Sequence, residues 1–307
     1  MCSKMTFSPF SVQVPGSTAN LGPGFDSIGL AITMYLTVNV CTSSHWKISY
    51  IGKELQELNG EKTNLIQEAA LLVAKEYGKE LPCCSLEVES ELPLSRGLGS
   101  SAAAIVAGIE LANRVLSLSL SKKEKALIAC RMEGHPDNVI PSLNGGLAIS
   151  CYGDNRLETV QIHDLAVEMV LVIPSFELLT SKAREALPKS LPHSQATQAS
   201  AVSNVLVASL LTNDWKTAGK MMERDLLHEP YRQRWFPDFA EIKQKASDHG
   251  AYGTAISGAG PTVICFVPKN SGKRIKDSLA SAFEGYVCKT VMPDSIGVRV
   301  EQLSLPA

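Results

Sequence analysis

The sequence lacks the features of a secreted or membrane-bound protein. Its eight cysteines are dispersed and include no C-x-x-C pair, so we expect reduced thiols and neither a disulfide framework nor a zinc site. Residues 1–10 lack the basic-then-apolar pattern of a secretory signal, and no apolar run approaches the roughly 20 residues that cross a bilayer. We therefore predict a cytoplasmic protein with no membrane partner.

The chain also lacks an excess of charge of either sign. It carries 29 Lys and Arg against 31 Asp and Glu, which gives a net charge of −2 at pH 7. This balance provides no global attraction to nucleic acid, so no nucleic-acid partner is predicted. The 307 residues are 45% hydrophobic, enough for a sizeable core, and no linker rich in Pro, Gly or Ser divides them.

Hydrophobic patterning predicts an α+β fold whose two halves differ. In the first half, strands are predicted over residues 10–14, 47–51, 85–92, 145–152, 157–162 and 167–174, and a helix over 64–77. Residues 181–249 are predicted to be mostly helical, with segments at 195–211, 215–227 and 239–249. A helix over 272–283 is flanked by predicted strands at 253–257, 262–267, 286–291 and 297–303. We expect two domains, 1–165 and 166–307.

The most informative segment is the run PLSRGLGSSAA at residues 93–103. Gly97 and Gly99 allow positive φ angles and a close approach of the main chain to a ligand. Ser100 or Ser101 can cap a helix that continues through the following alanines. Backbone N–H groups at such a helix start attract anions, so the run predicts a polyphosphate site.

Other kinds of glycine-rich site fit the same run less well. Its G-x-G-x-x-A spacing also fits a dinucleotide-binding loop, but the acidic residue expected about 20 positions later is missing, because residues 117–121 read SLSLS. No Gly-Lys-Ser or Gly-Lys-Thr follows, which excludes a Walker loop. A helix start that binds nothing stays open as an alternative.

Two polar clusters stand among residues that force defined loops. In residues 14–26, prolines and glycines surround Asn20 and Asp26; an Asp can bind an ammonium group, and an Asn can bind a hydroxyl. Both side chains could instead bond to local backbone. In residues 133–138, Glu133 could hold Mg²⁺, whereas His135 could be a structural residue and Asp137 could cap the next turn.

Two further segments carry candidate binding residues. Thr180, Arg184 and the later Arg232 could converge on an acidic group, because guanidinium forks bind carboxylate or phosphate oxygens. The alternative is a pair of solvated arginines. The small-residue turn SGAGPT at 257–262 would allow a close approach of backbone or ligand, or it could be a plain hairpin.

Together, in this order, these segments resemble the GHMP kinase family, named for galactokinase, homoserine kinase, mevalonate kinase and phosphomevalonate kinase. Residues 93–103 resemble its ATP loop, and residues 257–261 resemble the glycine motif that supports that loop. Residues 14–26 and 133–138 are similar to its homoserine kinase branch. The resemblance implies a ribosomal-protein-S5-like N-terminal domain, a ferredoxin-like C-terminal domain and a site between them.

The resemblance implies ATP-dependent phosphorylation of the L-homoserine hydroxyl, in threonine biosynthesis, with ATP and Mg²⁺. Asn64 would help to place the adenine. The implied ATP-binding loop consists of Pro93, Leu94, Ser95, Arg96, Gly97, Leu98, Gly99, Ser100, Ser101, Ala102 and Ala103. Ser101 and Glu133 would share the metal ion. Family members often form dimers, so the resemblance leaves a homodimer open.

On the substrate side, the resemblance implies that Asp26 binds the α-ammonium group and that Arg184 and Arg232 bind the α-carboxylate. The remaining implied substrate residues are Asn20, His135, Asn138 and Thr180. The candidate catalytic residues are Asn20, Asp26, Glu133 and His135. Asp26 is the candidate general base if the reaction uses one.

Three other functions stay open at this point. A related kinase acting on another small alcohol, such as mevalonate, differs in needing no ammonium partner. A non-catalytic binding protein could keep the fold without turnover. A nicotinamide dehydrogenase would use the glycine-rich run for a dinucleotide.

Overall fold

The structure is a computed structural model and describes residues 7–52, 55 and 64–303. Its strands are β1 (Phe10–Ala19), β2 (Ile28–Thr42), β3 (Lys47–Ile51), β4 (Cys84–Ser90), β5 (Leu147–Gly153), β6 (Arg156–Ile162), β7 (Glu168–Ile173), β8 (Gly253–Ile256), β9 (Val263–Val267), β10 (Val287–Val291) and β11 (Arg299–Gln302). Its helices are α1 (Leu65–Glu76), α2 (Ser100–Val115), α3 (Lys122–Glu133), α4 (Pro136–Asn144), α5 (Thr180–Glu185), α6 (His193–Leu211), α7 (Trp215–Met222), α8 (Glu229–Arg232), α9 (Phe239–Asp248) and α10 (Gly272–Ala282), with a 3₁₀ turn at Gln233–Trp235.

The first sheet has the strand order β11-β1-β2-β4-β3, and β5 extends it from the other end of β2 with β6 beside it. Among these described strands, only β3 and β4 pair in parallel. The long strand β2 was absent from the sequence prediction, although its burial alternates over much of its length. The β1–β2 register shifts between Pro15 and Gly16, where a Cβ on Gly16 would fall 2.9 Å from the Leu98 carbonyl oxygen. The shift therefore brings β1 against the glycine-rich run.

The second sheet has the antiparallel strand order β10-β7-β9-β8. Helices α5 to α9 connect β7 to β8, and α10 connects β9 to β10. In chain order this half therefore consists of a strand, helices, two strands, a helix and a strand. With β7 to β10 numbered 1 to 4, the strands lie in the order 4-1-3-2 across the sheet. This is the ferredoxin-like arrangement, so that prediction is confirmed.

Helix α2 is the central helix of the first half and is buried along most of its length. It lies close to α1 because Gly108 has no side chain: a Cβ there would fall 2.2 Å from the carbonyl oxygen of Ile66. Ala102 and Ala103 are buried at its first turn. Small residues thus set the position of the helix whose N-terminus follows the glycine-rich run.

The predicted division at residue 165 falls between β6 and β7, and it stays a prediction. One core cluster runs across that point, since it contains Val12 of β1 together with Leu171 of β7 and Phe266 of β9. Strand β11 also returns to pair with β1 in the first sheet. The two halves therefore share both a core and a sheet.

The structure bears on the oxidation state of the cysteines and on membrane-spanning helices. Cys83 is disulfide-bonded, so the expectation of reduced thiols throughout is wrong at that position. The free thiols among the described residues are Cys41, Cys84, Cys130, Cys151, Cys265 and Cys288. No helix within residues 7–52, 55 and 64–303 combines the length and apolar character needed to cross a membrane.

Candidate active site

The glycine-rich run adopts the backbone conformation that its sequence predicts. Ser95, Gly97 and Gly99 have φ angles of 53°, 71° and 71°. Helix α2 begins at Ser100 with Gly99 as its N-cap, and no side chain caps it. The expectation that Ser100 or Ser101 provides the cap is therefore wrong, because both lie inside the first turn. An uncapped helix start leaves its first N–H groups available to an anion.

The turn at residues 257–261 supports this run directly. The Ser257 hydroxyl lies 2.6 Å from the Gly97 carbonyl oxygen, and the Gly258 N–H donates to the Ala19 carbonyl at 3.0 Å. A Cβ on Gly97 would fall 2.2 Å from the Ser257 carbonyl oxygen. The turn is thus the supporting motif expected from the family resemblance rather than a plain hairpin, and Gly97 is required by close backbone approach as well as by its positive φ.

Several side chains of the run serve the fold. The Arg96 guanidinium donates to the carbonyl oxygens of Leu94, Pro174 and Ser175, which ties the run to the segment after β7. The buried side chains are those of Pro93, Leu98, Ala102 and Ala103. Their side chains are therefore occupied within the fold. Neither Pro93, which has no N–H, nor Ala103, whose N–H donates to the Gly99 carbonyl at 2.9 Å, can offer a backbone N–H to an anion.

A polar cavity of about 180 Å³ lies beside the start of α2. It brings together every predicted substrate residue and both predicted metal ligands. They are Asn20, Asp26, Ser101, Glu133, His135, Asn138, Thr180, Arg184 and Arg232. Residues separated by as many as 212 positions in the sequence, Asn20 and Arg232, line this one cavity. The structure brings Arg184 and Arg232 to the same cavity, and their binding of an acidic group stays a prediction. The alternative of two solvated surface arginines is wrong for Arg232, which is 2% exposed.

The acidic and basic groups of the cavity contact one another. Arg184 donates two hydrogen bonds to Asp26, Nη2 to Oδ1 at 2.7 Å and Nη1 to Oδ2 at 3.0 Å. The hydrogen bonding of this guanidinium to the Asp26 carboxylate raises the pKa of Arg184. The side chains are 37% and 36% exposed, so the pair is open to solvent and to a ligand. Phe25 lies next to it, with its ring centroid 5.5 Å from the Arg184 Cζ.

Arg232 is a buried cation with neutral hydrogen-bond partners. It donates from Nη1 to the Gly258 carbonyl at 3.0 Å and from Nε to the Ala183 carbonyl at 3.3 Å, and its Cζ lies 5.3 Å from the Phe25 ring centroid. Burial lowers its pKa to about 10. Among the described residues, no carboxylate lies within ion-pair distance of this guanidinium. A buried cation of this kind suits an anionic ligand.

Asn20 joins the first loop to the supporting turn. Its Oδ1 accepts from the Asp26 N–H at 3.1 Å, and its Nδ2 donates to the Gly258 carbonyl at 2.9 Å. The contact with the Asp26 N–H is to local backbone, which matches the alternative raised for this residue, whereas the contact with Gly258 reaches a distant part of the chain. Asp26 differs, because its carboxylate binds a side chain across the cavity. Asn20 therefore fixes the backbone that presents Asp26.

The segment after α3 places three polar groups at the cavity edge. Ser101 donates to Glu133 at 3.1 Å, and desolvation by burial raises the pKa of Glu133.

The His135 Nδ1 lies 2.5 Å from Asp137 Oδ1. Burial opposes the imidazolium form, but this hydrogen bond and the Asp137 charge raise the His135 pKa. The suggested capping role of Asp137 is wrong: His135 is the N-cap of α4, with no side-chain cap bond. Asn138 accepts from the Ser17 hydroxyl at 2.9 Å.

A second cavity of about 310 Å³ lies on the other side of the same helix start. It shares Ser95, Ser100 and Ser101 with the first and is otherwise mainly apolar. Its apolar and aromatic lining consists of Leu36, Tyr50, Leu55, Leu65, Ile66, Val88, Leu94 and Ala104. Asn64 also lines it, but its Oδ1 caps α1 by accepting from the Ile66 and Gln67 N–H groups, and its Nδ2 donates to the Tyr50 hydroxyl.

Sequence reasoning missed two aromatic rings beside the cavity. Phe25 lines it and contacts both cavity arginines, and His228 stacks on Phe25 with centroids 5.4 Å apart. The position of Phe25 next to Asp26 was a usable signal. His228 carried a weaker one, since it lies four residues before Arg232 and so falls on the same side of a helical turn.

Comparison with known proteins assigns this arrangement to a family. Residues 64–146 match the GHMP kinases N terminal domain, and residues 206–285 match the GHMP kinases C terminal domain. The chain belongs to the GHMP kinase family. It is 45% identical to a homoserine kinase from Bacillus licheniformis over 96% of this chain and 97% of that one. It is 46% identical to a homoserine kinase from Bacillus velezensis over 89% of each chain.

Solved structures of GHMP kinases agree with the fold. A homoserine kinase from Cytophaga hutchinsonii superposes with a TM-score of 0.86 at 28% identity, covering 98% of this chain and 99% of that one. The mevalonate kinase of L. major superposes with a TM-score of 0.69 at 18% identity, covering 95% and 98%. The second likeness shows the shared fold alone. Family membership and the homoserine kinase relatives make this chain an ATP-dependent kinase.

Proposed function

We propose that this GHMP kinase transfers the γ-phosphoryl group of ATP to the side-chain hydroxyl of L-homoserine. The observation that carries the proposal is Arg232, a buried guanidinium without a carboxylate partner among the described residues, in a cavity that adjoins the N-terminus of α2. An anionic group on the acceptor would provide the missing counter-charge. The homoserine kinase relatives supply the identity of that acceptor.

The two cavities suit the two substrates, the nucleotide and the acceptor. The mainly apolar cavity fits a nucleoside, and the helix start at Ser100 lies between it and the polar cavity. Backbone N–H groups from Gly97 to Ser101 would hold the phosphates, directing the terminal one toward the polar cavity. Phosphoryl transfer demands mainly positioning and neutralisation of charge, which this arrangement supplies.

In the polar cavity, Asp26 would bind the α-ammonium group of the substrate and Arg232 and Arg184 its α-carboxylate. Arg184 and Asp26 bind each other in this structure. A zwitterion brings one charge for each of them, so it can replace their mutual contact without leaving either unpaired. His135, Asn138 and Thr180 line the remaining wall and would border the reacting hydroxyl.

Two oxygen donors, on Ser101 and Glu133, would hold Mg²⁺. Ser101 Oγ and Glu133 Oε2 lie 3.1 Å apart beside the phosphate loop, and Mg²⁺ prefers such oxygen ligands while it bridges to phosphates. The metal ion, when bound, neutralises phosphate charge. A second group of donors, on Asp26, His135 and Asp137, has ligand atoms within 4.8 Å of one another, but its imidazole and the Arg184 contact make it the poorer fit.

The supporting experiment is a coupled ADP-release assay with and without L-homoserine, with mevalonate as the competing acceptor. Strong stimulation by homoserine alone supports the proposal. Stimulation by mevalonate instead would identify a kinase for another small alcohol. The absence of turnover with either acceptor would favour a non-catalytic binding protein.

Three finer expectations belong to the same proposal. The product, O-phospho-L-homoserine, would enter threonine biosynthesis, and the enzyme would act in the cytoplasm. A homodimer stays a prediction from the family resemblance. Asp26 would be a general base only if the hydroxyl proton needs one, since charge positioning can supply much of the rate.

A further inference from the structure

His228 is a buried imidazole that the proposed reaction does not use. It is 0% exposed and lies immediately before α8, the short helix that carries Arg232. Its Nδ1 lies 3.2 Å from Arg232 Nη1, and its Nε2 lies 2.9 Å from the Gly22 carbonyl oxygen. The ring therefore links Arg232, from the second half of the chain, to the loop at residues 20–26.

The partners determine which nitrogen carries the proton. A guanidinium only donates, so Nδ1 must accept from Arg232, and a carbonyl only accepts, so Nε2 must donate to Gly22. This is the neutral imidazole with its hydrogen on Nε2. Burial lowers the pKa of His228, which agrees with the neutral form.

The surrounding contacts hold this ring in one orientation. Asp225 accepts from the backbone N–H groups of His228 and Glu229, which fixes the start of α8. The ring stacks on Phe25 with an interplanar angle of 26°. Phe25 in turn lies beside both guanidiniums, with Cζ distances of 5.5 Å for Arg184 and 5.3 Å for Arg232. His228 thus contacts the Arg232 side chain, the Phe25 ring and the backbone of the Asp26 loop.

We infer that His228 is a positioning residue for acceptor recognition, because it orients Arg232 and fixes the loop that presents Asp26. Its neutral acceptor nitrogen holds one guanidinium nitrogen without cancelling the charge. A carboxylate at the same place would pair with Arg232 and compete with the anionic group of the acceptor. The inference rests on the proposed role of Arg232 in binding that group.

Two near-isosteric substitutions separate the functions of the two ring nitrogens. In His228→Asn, the amide oxygen takes a place near Nδ1 and can still accept from Arg232. In His228→Gln, the amide nitrogen can still donate to Gly22, whereas the acceptor for Arg232 is lost. We expect His228→Gln to raise the KM for homoserine by about tenfold, as for loss of one hydrogen bond to a charged group, and His228→Asn to raise it less. The KM for ATP should stay within about twofold in both.

A double-mutant cycle with Arg232→Lys tests whether the effect passes through Arg232. If it does, His228→Gln changes kcat/KM for homoserine much less in the Arg232→Lys background than in the parent protein. His249→Gln is the matched control, since His249 contacts Ser278 and lines neither described cavity. Thermal unfolding of each variant reports its folding, and where His228→Gln does not fold, His228→Phe, which keeps a ring against Phe25 but likewise lacks the acceptor for Arg232, replaces it in the cycle and in the KM comparison.

The inference is overturned if His228→Gln folds and leaves the homoserine KM unchanged, if it raises the KM values for ATP and homoserine equally, or if its effect is the same in the Arg232→Lys background as in the parent. Those outcomes differ from failure of the proposed function. That failure would appear in the unsubstituted protein, as ADP release that homoserine does not stimulate.

Discussion

Arg184 and Asp26 form a two-point ion pair across the polar cavity, with N–O distances of 2.7 and 3.0 Å. Each side chain is more than one-third exposed, so solvent limits the free energy that holds the pair together. The pair keeps both charges satisfied before an acceptor binds. An acceptor with a single charge would open it and leave one partner without a counter-charge, whereas a zwitterion would not.

Asp26→Asn should remove the preference for an ammonium group. We expect kcat/KM for L-homoserine to fall by about tenfold or more, the order expected for loss of a charge-assisted contact. The rate with 4-hydroxybutanoate, which lacks the amino group and should be a poor acceptor for the parent, should not fall and is expected to rise, because the variant leaves no carboxylate unpaired when an anion binds Arg184. Steady-state kinetics with both acceptors measure this. A parallel loss with both would assign Asp26 to the chemical step instead.

Arg232→Ala should weaken acceptor binding while leaving nucleotide binding intact. A loss of a few kcal/mol is expected, because a buried charge-assisted fork is removed. The KM for homoserine should rise and the KM for ATP should stay constant. With 3-aminopropan-1-ol, which lacks the carboxylate, the variant and the parent should be equally poor. An unchanged homoserine KM contradicts the assignment.

Glu133→Gln should change the metal requirement. Replacing the carboxylate by an amide removes a ligand charge, so half-maximal activity should need a higher Mg²⁺ concentration and turnover should fall. Glu76→Gln is the control, because Glu76 pairs with Arg131 on the surface and lines neither described cavity. A Mg²⁺ titration identical to that of the parent would exclude Glu133 from the metal site.

Gly97→Ala should distort the glycine-rich run at residues 93–103 through a steric clash. The new Cβ would fall 2.2 Å from the Ser257 carbonyl oxygen at a φ of +71°. Gly78→Ala is the matched control, since Gly78 has a φ of +63° and nothing within 4 Å of the added atom. The control should lose about 1–2 kcal/mol of stability from the left-handed backbone alone. Gly97→Ala should lose more in thermal unfolding and should also raise the KM for ATP; equal losses would rule out the clash.

Glu229→Gln should remove one source of pH-dependent stability. Glu229 accepts from the Ile256 N–H, and desolvation raises its pKa from 4.5 to about 8. The folded protein thus holds this proton to higher pH than the unfolded chain. The contribution to stability is full below pH 4.5 and is lost as the pH rises to about 8.

The Gln side chain can still accept from Ile256 but does not titrate. The midpoint of thermal unfolding should therefore be similar to that of the parent at about pH 5 and higher at about pH 9, by at least a few degrees. Glu241→Gln, on the exposed face of α9, should follow the parent at both pH values. A constant difference between Glu229→Gln and the parent across this range would show that Glu229 does not titrate there.

Much of the fold was predictable because local patterns dominate it. The ferredoxin-like half follows from short apolar runs separated by amphipathic helices, and its strands lie close to their predicted bounds. Strand β2 was missed although it is the longest of the described strands and its burial alternates over much of its length. The capping of α2 was also mispredicted. Serine is a common cap, but here the positive φ of Gly99 starts the helix.

The site was predictable as a set of residues but not as a set of contacts. Residue chemistry and the family resemblance placed Asp26, Arg184 and Arg232 together. They could not show that Arg184 binds Asp26 or that His228 binds Arg232. The Arg184–Asp26 contact spans 158 residues of sequence, and no local pattern encodes a distance over that separation.

The sequence by itself determined the conformation of the glycine-rich run, since glycine at 97 and 99 is what permits its backbone to turn with positive φ and approach the 257–261 turn. Hydrophobic periodicity also predicted the strands of the second sheet. Only the tertiary structure decided which charges are buried, paired or left for a ligand. The reason is physical: the free energy of a charge depends on its solvent exposure and its neighbours, and folding supplies both from distant parts of the chain.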